Sequence, residues 1–117
     1  MYRGTTPTNT FRTTVDLSSA EVIYITYGQR GETVVEKGKA DITFDVPQEP
    51  GQIKNKSGSE EEPTIYSFSV NLTQEETLRF SGTDVYIQVR ARFPGETAIA
   101  SKVIKTTVQM ILKDGVI

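Results

Sequence analysis

Histidine and cysteine are both absent from this 117-residue chain. Without imidazole, the sequence lacks the side chain most often used to move protons near neutral pH and the commonest transition-metal ligand. Serine–histidine and cysteine–histidine catalytic arrangements cannot be built. Without thiols there are no disulfides, zinc–thiolate sites or iron–sulfur clusters. Tryptophan is missing too, which removes the broadest platform for stacking on a sugar. No apolar run approaches the roughly 20 residues of a membrane span, and the opening MYRGTTPTNTF has no signal-peptide core. Neither a membrane partner nor signal-directed secretion is expected. No sign of charge dominates: 13 basic and 15 acidic residues are mixed along the chain, for a net charge of −2. Nucleic-acid affinity comes largely from neutralising phosphates, so no nucleic-acid partner is expected. Glycines stand singly at turns and build no phosphate cradle. No cofactor or metal is expected, and the chain reads as non-enzymatic.

What the sequence does carry is alternation of apolar and polar residues at period two, broken by turn residues, the pattern of half-buried strands. A threonine-rich run from Thr5 to Val15 puts Phe11 and Val15 on one face, and Pro7 marks it as an edge strand or the beginning of one. Residues 16–21 read as a connection containing one helical turn. In Glu21–Gln29, Ile23, Ile25 and Tyr27 share one face and Val22, Tyr24 and Thr26 the other. Arg30-Gly31 predicts a tight turn into Glu32–Lys37, and Lys37-Gly38-Lys39 another into Ala40–Val46. That strand would point Ala40, Ile42, Phe44 and Val46 inward.

Residues 47–63 hold prolines, glycines, lysines and the run Glu60-Glu61-Glu62, with Ile53 as the one large apolar residue. Such a segment buries too little to offset its ordering entropy and reads as a flexible surface loop. Neither flank is long enough to fold alone, so residues 1–117 read as one domain. Alternation returns in Thr64–Leu72, with Tyr66, Phe68, Val70 and Leu72 inward. Thr73 and Glu76 fit a capping box before a short helical turn. Asp84–Arg92 turns Val85, Ile87, Val89 and Ala91 inward. Pro94-Gly95 has the order of a type II turn, a further strand with a break or bulge runs from Thr97 to Leu112, and Lys113-Asp114-Gly115 forms a last turn. The expectation is an all-β, immunoglobulin-like β-sandwich of about seven strands with one helical turn, the alternative being a small β-barrel.

Carboxylates are the remaining acid–base candidates. Glu60-Glu61-Glu62 lies where no fixed separation can be held, and Glu75 and Glu76 are explained by their place at a helix start. Asp41 and Asp45 fall on one strand face and could contribute to a cation site, though no calcium-loop pattern surrounds them. The candidate interaction face is the outer side of the Asp84–Arg92 strand: Tyr86, Gln88, Arg90 and Arg92, joined by Tyr24 if its strand is a neighbour. Tyrosine and arginine are enriched at interface hot spots, although an ordinary hydrated sheet face gives the same pattern. Thr5, Thr6, Thr8 and Thr10 suit an arm that pairs with a neighbouring subunit, or an ordinary edge strand.

Five segments together resemble a known family: Met1-Tyr2-Arg3-Gly4-Thr5-Thr6-Pro7-Thr8, Leu72-Thr73-Gln74-Glu75-Glu76-Thr77-Leu78, Ile87-Gln88-Val89-Arg90, Ala100-Ser101-Lys102-Val103-Ile104, and Ile111-Leu112-Lys113-Asp114-Gly115-Val116-Ile117. The family comprises small proteins encoded in phages and prophages of Gram-positive bacteria, among tail and baseplate genes. The likeness spans both ends and implies a complete protein. It implies a structural or assembly role through protein–protein contacts with other phage tail proteins or with copies of itself as a homo-oligomer. The implied location is the virion, or the bacterial host cytoplasm during assembly. The family supplies no catalytic residues. A carbohydrate- or host-surface-binding module is the alternative, in which Tyr24, Tyr27, Tyr66 and Tyr86 would replace tryptophan.

Overall fold

The computed structural model describes residues 1–45, 64–81, 84–109, 113 and 115–117. The loop expected at 47–63 lies outside the described residues, as do Val46, Leu112 and Asp114.

Pro7 cannot donate to a ladder, and strand β1 (Thr8–Thr13) starts directly after it at a sheet edge. A 3-10 turn at Leu17–Ser19, with the Asp16 carboxylate accepting from the Ser18 amide, carries the chain to β2 (Val22–Gln29). Arg30 and Gly31 both take left-handed backbone angles, φ 54° and 78°. This is the turn whose twist matches a hairpin into β3 (Glu32–Gly38).

The next connection is not the tight turn expected at Lys37-Gly38-Lys39. A 3-10 turn at Lys39–Asp41 moves the chain to the opposite sheet, held by Asp41 accepting from the Gly38 amide. Strand β4 is therefore only Ile42–Phe44. Ala40 sits in the turn and is exposed, whereas Ile42 and Phe44 pack against the core. Asp41 is drawn out of the strand, so it and Asp45 do not share a strand face. No cluster of acidic residues able to hold a metal ion occurs among the described residues.

Strand β5 (Tyr66–Asn71) leads to the capped helix α1 (Gln74–Leu78), in which Thr73 and Glu76 exchange both capping-box bonds. Strand β6 (Asp84–Arg92) has the expected bounds. Pro94-Gly95 forms the expected turn: the Glu96 amide donates to the Phe93 carbonyl at 3.2 Å, and Gly95 has φ 88°. The last expected strand is two, β7 (Ala98–Ala100) and β8 (Ile104–Thr107), so the described residues hold eight strands instead of about seven. At the break, the Ser101 hydroxyl takes the Val89 amide at 3.0 Å, replacing a backbone partner. No described helix is long and apolar enough to cross a membrane.

The strands form two antiparallel sheets, β1-β5-β4 and β3-β2-β6-β7, with β8 also paired to β6. Each sheet keeps its own edges, so the architecture is a two-sheet sandwich and not the barrel alternative. Inward residues of both sheets form one core: Phe11, Phe68 and Val70 from one, Ile23, Ile25, Tyr27, Val85 and Ile87 from the other. Phe11 and Phe68 are register partners and stack with ring centroids 5.2 Å apart. Buried polar groups are paired. Thr77 donates to the Thr5 carbonyl at 2.9 Å, and Gln29 bridges Ser81 through both ends of its amide.

Candidate interaction face

Antiparallel pairing of β2 with β6 brings the sequence-derived residues together. Tyr24 lies opposite Arg90, Thr26 opposite Gln88, Gly28 opposite Tyr86 and Val22 opposite Arg92. Because side chains alternate across a strand and Val85, Ile87, Val89 and Ala91 are buried, the intervening residues of β6 must face outward. Tyr24 and Tyr86 are 47% and 46% exposed, and Arg90 and Arg92 are exposed as well. The five candidates therefore share one face of the larger sheet.

Neighbouring positions explain why two of them stand clear. The row through Tyr24 and Arg90 ends in Gly38 on β3 and Ala100 on β7, so neither flank carries a large side chain. Shallow hollows lie on both sides of that row. One, of about 180 Å³, is bordered by Val22, Tyr24, Arg90 and Arg92. The other, of about 500 Å³, lies among Thr26, Gly28, Glu36, Tyr86 and Arg90. Gly28 suits this close approach: a Cβ would meet the Glu32 carbonyl oxygen at 3.1 Å, tight enough that the backbone would have to give by a few tenths of an ångström, and the sheet register shifts at this point.

Charge on the face is divided. Arg90 and Arg92 occupy the centre, while Glu32 and Glu36 lie along β3. Arg92 is 3.9 Å from Glu21, a long and exposed contact worth little. Arg90 makes no ion pair among the described residues. Gln88 is less available than its neighbours: it is half-buried, and its amide donates to the Ser101 carbonyl at 3.1 Å.

Other sequence candidates are used within the chain. The threonine arm docks on its own molecule, with Thr8 donating to Asn71, Thr10 bonding Ser69, and Thr5 accepting from Thr77. Tyr27 is fully buried, and its hydroxyl takes the Asn9 amide at 2.8 Å, so it offers nothing to a ligand. Burial pushes its pKa up to about 12, against the opposing effect of the Asn9 bond. Glu76 is consumed by its cap and by Lys37, whose ammonium lies 2.6 Å away.

The sequence reading missed Val103, 56% exposed at the edge of the second hollow, and Ile99 and Ile104, which border a separate cleft. The signal was present. Ile99 and Ile104 have opposite parity, so one uninterrupted strand cannot place both on one side. The chain matches no protein-family model and no curated protein sequence.

Proposed function

We propose that the chain is a non-enzymatic structural or assembly protein of a phage tail or baseplate that works by protein–protein contact. The observation that carries the contact is the register pair Tyr24–Arg90, exposed between small neighbours with a hollow on each side. Tyrosine loses little entropy on docking, and tyrosine and arginine both contribute most once desolvated at the centre of an interface. Arginines beside the acidic β3 favour a protein of complementary mixed charge over a nucleic acid, whose phosphates need a uniformly positive track. The tail assignment rests on the sequence resemblance. It brings with it other tail proteins or further copies of the chain as partners, and the virion or the assembling host cytoplasm as location. The strand order β1-β5-β4 facing β3-β2-β6-β7 also supports an immunoglobulin-like reading, with the first strand of that fold left out. Loss of Tyr27 to the core weakens the carbohydrate alternative.

The test is co-purification with the products of neighbouring tail genes. Arg90→Glu should abolish capture while the thermal unfolding midpoint stays within a few degrees of the parent. Undiminished capture would remove this face as the contact. Absence of the protein from both virions and tail assembly intermediates, by mass spectrometry, would refute the tail role.

A further inference from the structure

The two sheets do not meet along the side where β1 faces the β7–β8 strands. A cleft of about 210 Å³ opens there, with Phe11 and Val15 on one wall, Ile99 and Ile104 on the other, and Phe68 and Val89 at its base. Val15, Ile99 and Ile104 are 39%, 37% and 45% exposed. Single exposed aliphatics are ordinary, but three converging over an apolar base, one from the bend after β1 and two from β7 and β8, are not.

Both margins of the cleft are strand edges. Strand β1 pairs only with β5, and β7 and β8 pair only with β6, among the described residues. The far end of the β8 edge already holds an extended segment, the chain's own first residues. The Met1 amine donates to the Thr107 carbonyl at 2.9 Å, the Gln109 amide to Met1 at 2.7 Å, and the Arg3 amide to Gln109 at 3.1 Å. Tyr2 and Gln109 form a parallel bridge. Alternation along β8 turns the Lys105 backbone to the same side as that of Thr107. On either side of β7, the Thr97 carbonyl accepts from the Phe93 amide just past β6 and the Ser101 amide donates to Val89 within it, which leaves the backbone groups of Ala98 and Ala100 facing outward. Among the described residues, the edge beside the cleft is thus open for continuation of the same pairing.

The margins also carry a charge opposite to that of the whole molecule. Residues 8–15 and 97–109 contain Arg12, Lys102 and Lys105 and no acid, in a chain of net charge −2. Lys105 lies 3.4 Å from Asp84, so the complementarity falls to Arg12, which lines the cleft, and to Lys102, which follows the lining residue Ser101; neither has an ion-pair partner among the described residues.

We propose that this cleft receives an extended strand from a partner protein, alternating apolar side chains that fill the space between Val15, Ile99 and Ile104 with carboxylates that meet Arg12 and Lys102. Backbone pairing to the open edge supplies affinity and the apolar slots supply register, as in other strand-addition complexes. The site is distinct from the Tyr24–Arg90 face, on the other side of the larger sheet.

The probe is a fluorescein-labelled decapeptide alternating valine and threonine, with two glutamates at each end, followed by fluorescence anisotropy against the whole chain. It should bind about tenfold more tightly than the same peptide with lysine ends at low salt. N-methylation of alternate backbone nitrogens should abolish binding, because it removes the ladder donors. Arg12→Glu, at an exposed position, leaves Lys102 as the one positive charge against a new negative one and should erase the preference for glutamate ends, whereas Arg90→Glu should leave it unchanged. Any of four results overturns the proposal: no binding, equal affinity for both ends, retained binding after N-methylation, or a dimer of the chain that excludes the peptide. In the last case the occupant is a second copy.

Discussion

Glu76 joins helix α1 to strand β3, and separating its two roles gives a sharp prediction. One carboxylate oxygen accepts from Lys37 Nζ at 2.6 Å and from the Thr73 amide at 2.9 Å. The Lys37 and Glu76 side chains are only 12% and 15% exposed. Burial pulls the Glu76 carboxyl upward, but the Lys37 and Thr73 hydrogen bonds outweigh it and hold the pKa below the ordinary 4.5. Glu76→Gln keeps an oxygen able to accept from Thr73, so the cap survives and the charge is lost. A fully buried cation left unpaired costs roughly 3–5 kcal/mol; here Lys37 can partly reach water, so about 1–3 kcal/mol is expected.

Urea unfolding of Glu76→Gln, Lys37→Met and the double variant would measure the coupling. The double variant should be more stable than the sum of the singles implies, by about 1 kcal/mol or more. Single-variant losses that simply add would refute a coupled pair. Acid gives a second reading of the same group. A carboxyl with a depressed folded pKa contributes stability above its unfolded pKa, and that contribution is lost as pH falls through the folded value. The parent should therefore lose stability below the ordinary carboxylate range more steeply than Glu76→Gln does.

Two further outcomes follow from buried groups. Tyr27, raised from 10.0 to about 12, contributes stability that is complete below pH 10 and lost as pH rises toward 12. Tyr27→Phe should remove a late phenolate absorbance step and an alkaline loss of about 2–3 kcal/mol. Ser101→Ala leaves the Val89 amide without its 3.0 Å acceptor at the strand break and should cost about 1–2 kcal/mol in urea unfolding, with faster hydrogen exchange at Val89.

Much of the fold was legible because period-two alternation reports burial directly. In β6, Val85, Ile87, Val89 and Ala91 read as inward and are buried, and the capping box at Thr73 and Glu76 forms as its spacing implies. Alternation says which face a residue takes but not which sheet its strand joins. The Lys39–Asp41 crossover was therefore missed: a glycine between lysines looks the same before a hairpin and before a change of sheet. Tyr24 could be placed beside Arg90 only conditionally, because strand adjacency is a long-range fact. The apolar cleft was barely legible. It depends on two edges, far apart in sequence, failing to meet, and its local trace is no more than the parity change between Ile99 and Ile104.

Strand β6 explains how one small sandwich could offer two independent surfaces. It is paired on both sides, to β2 and to β7 and β8, so its backbone is fixed along its length. Its outward residues Tyr86, Arg90 and Arg92 lie on one exposed face, the proposed contact, while its inward residues Val89 and Ala91 border the cleft on the other. A doubly paired strand has little freedom to transmit a shift across its thickness, so a substitution at Arg90 should not move the cleft residues on the inner face. Binding at one surface should leave affinity at the other unaltered, the behaviour expected of an adaptor that joins two neighbours and not of a switch that couples them.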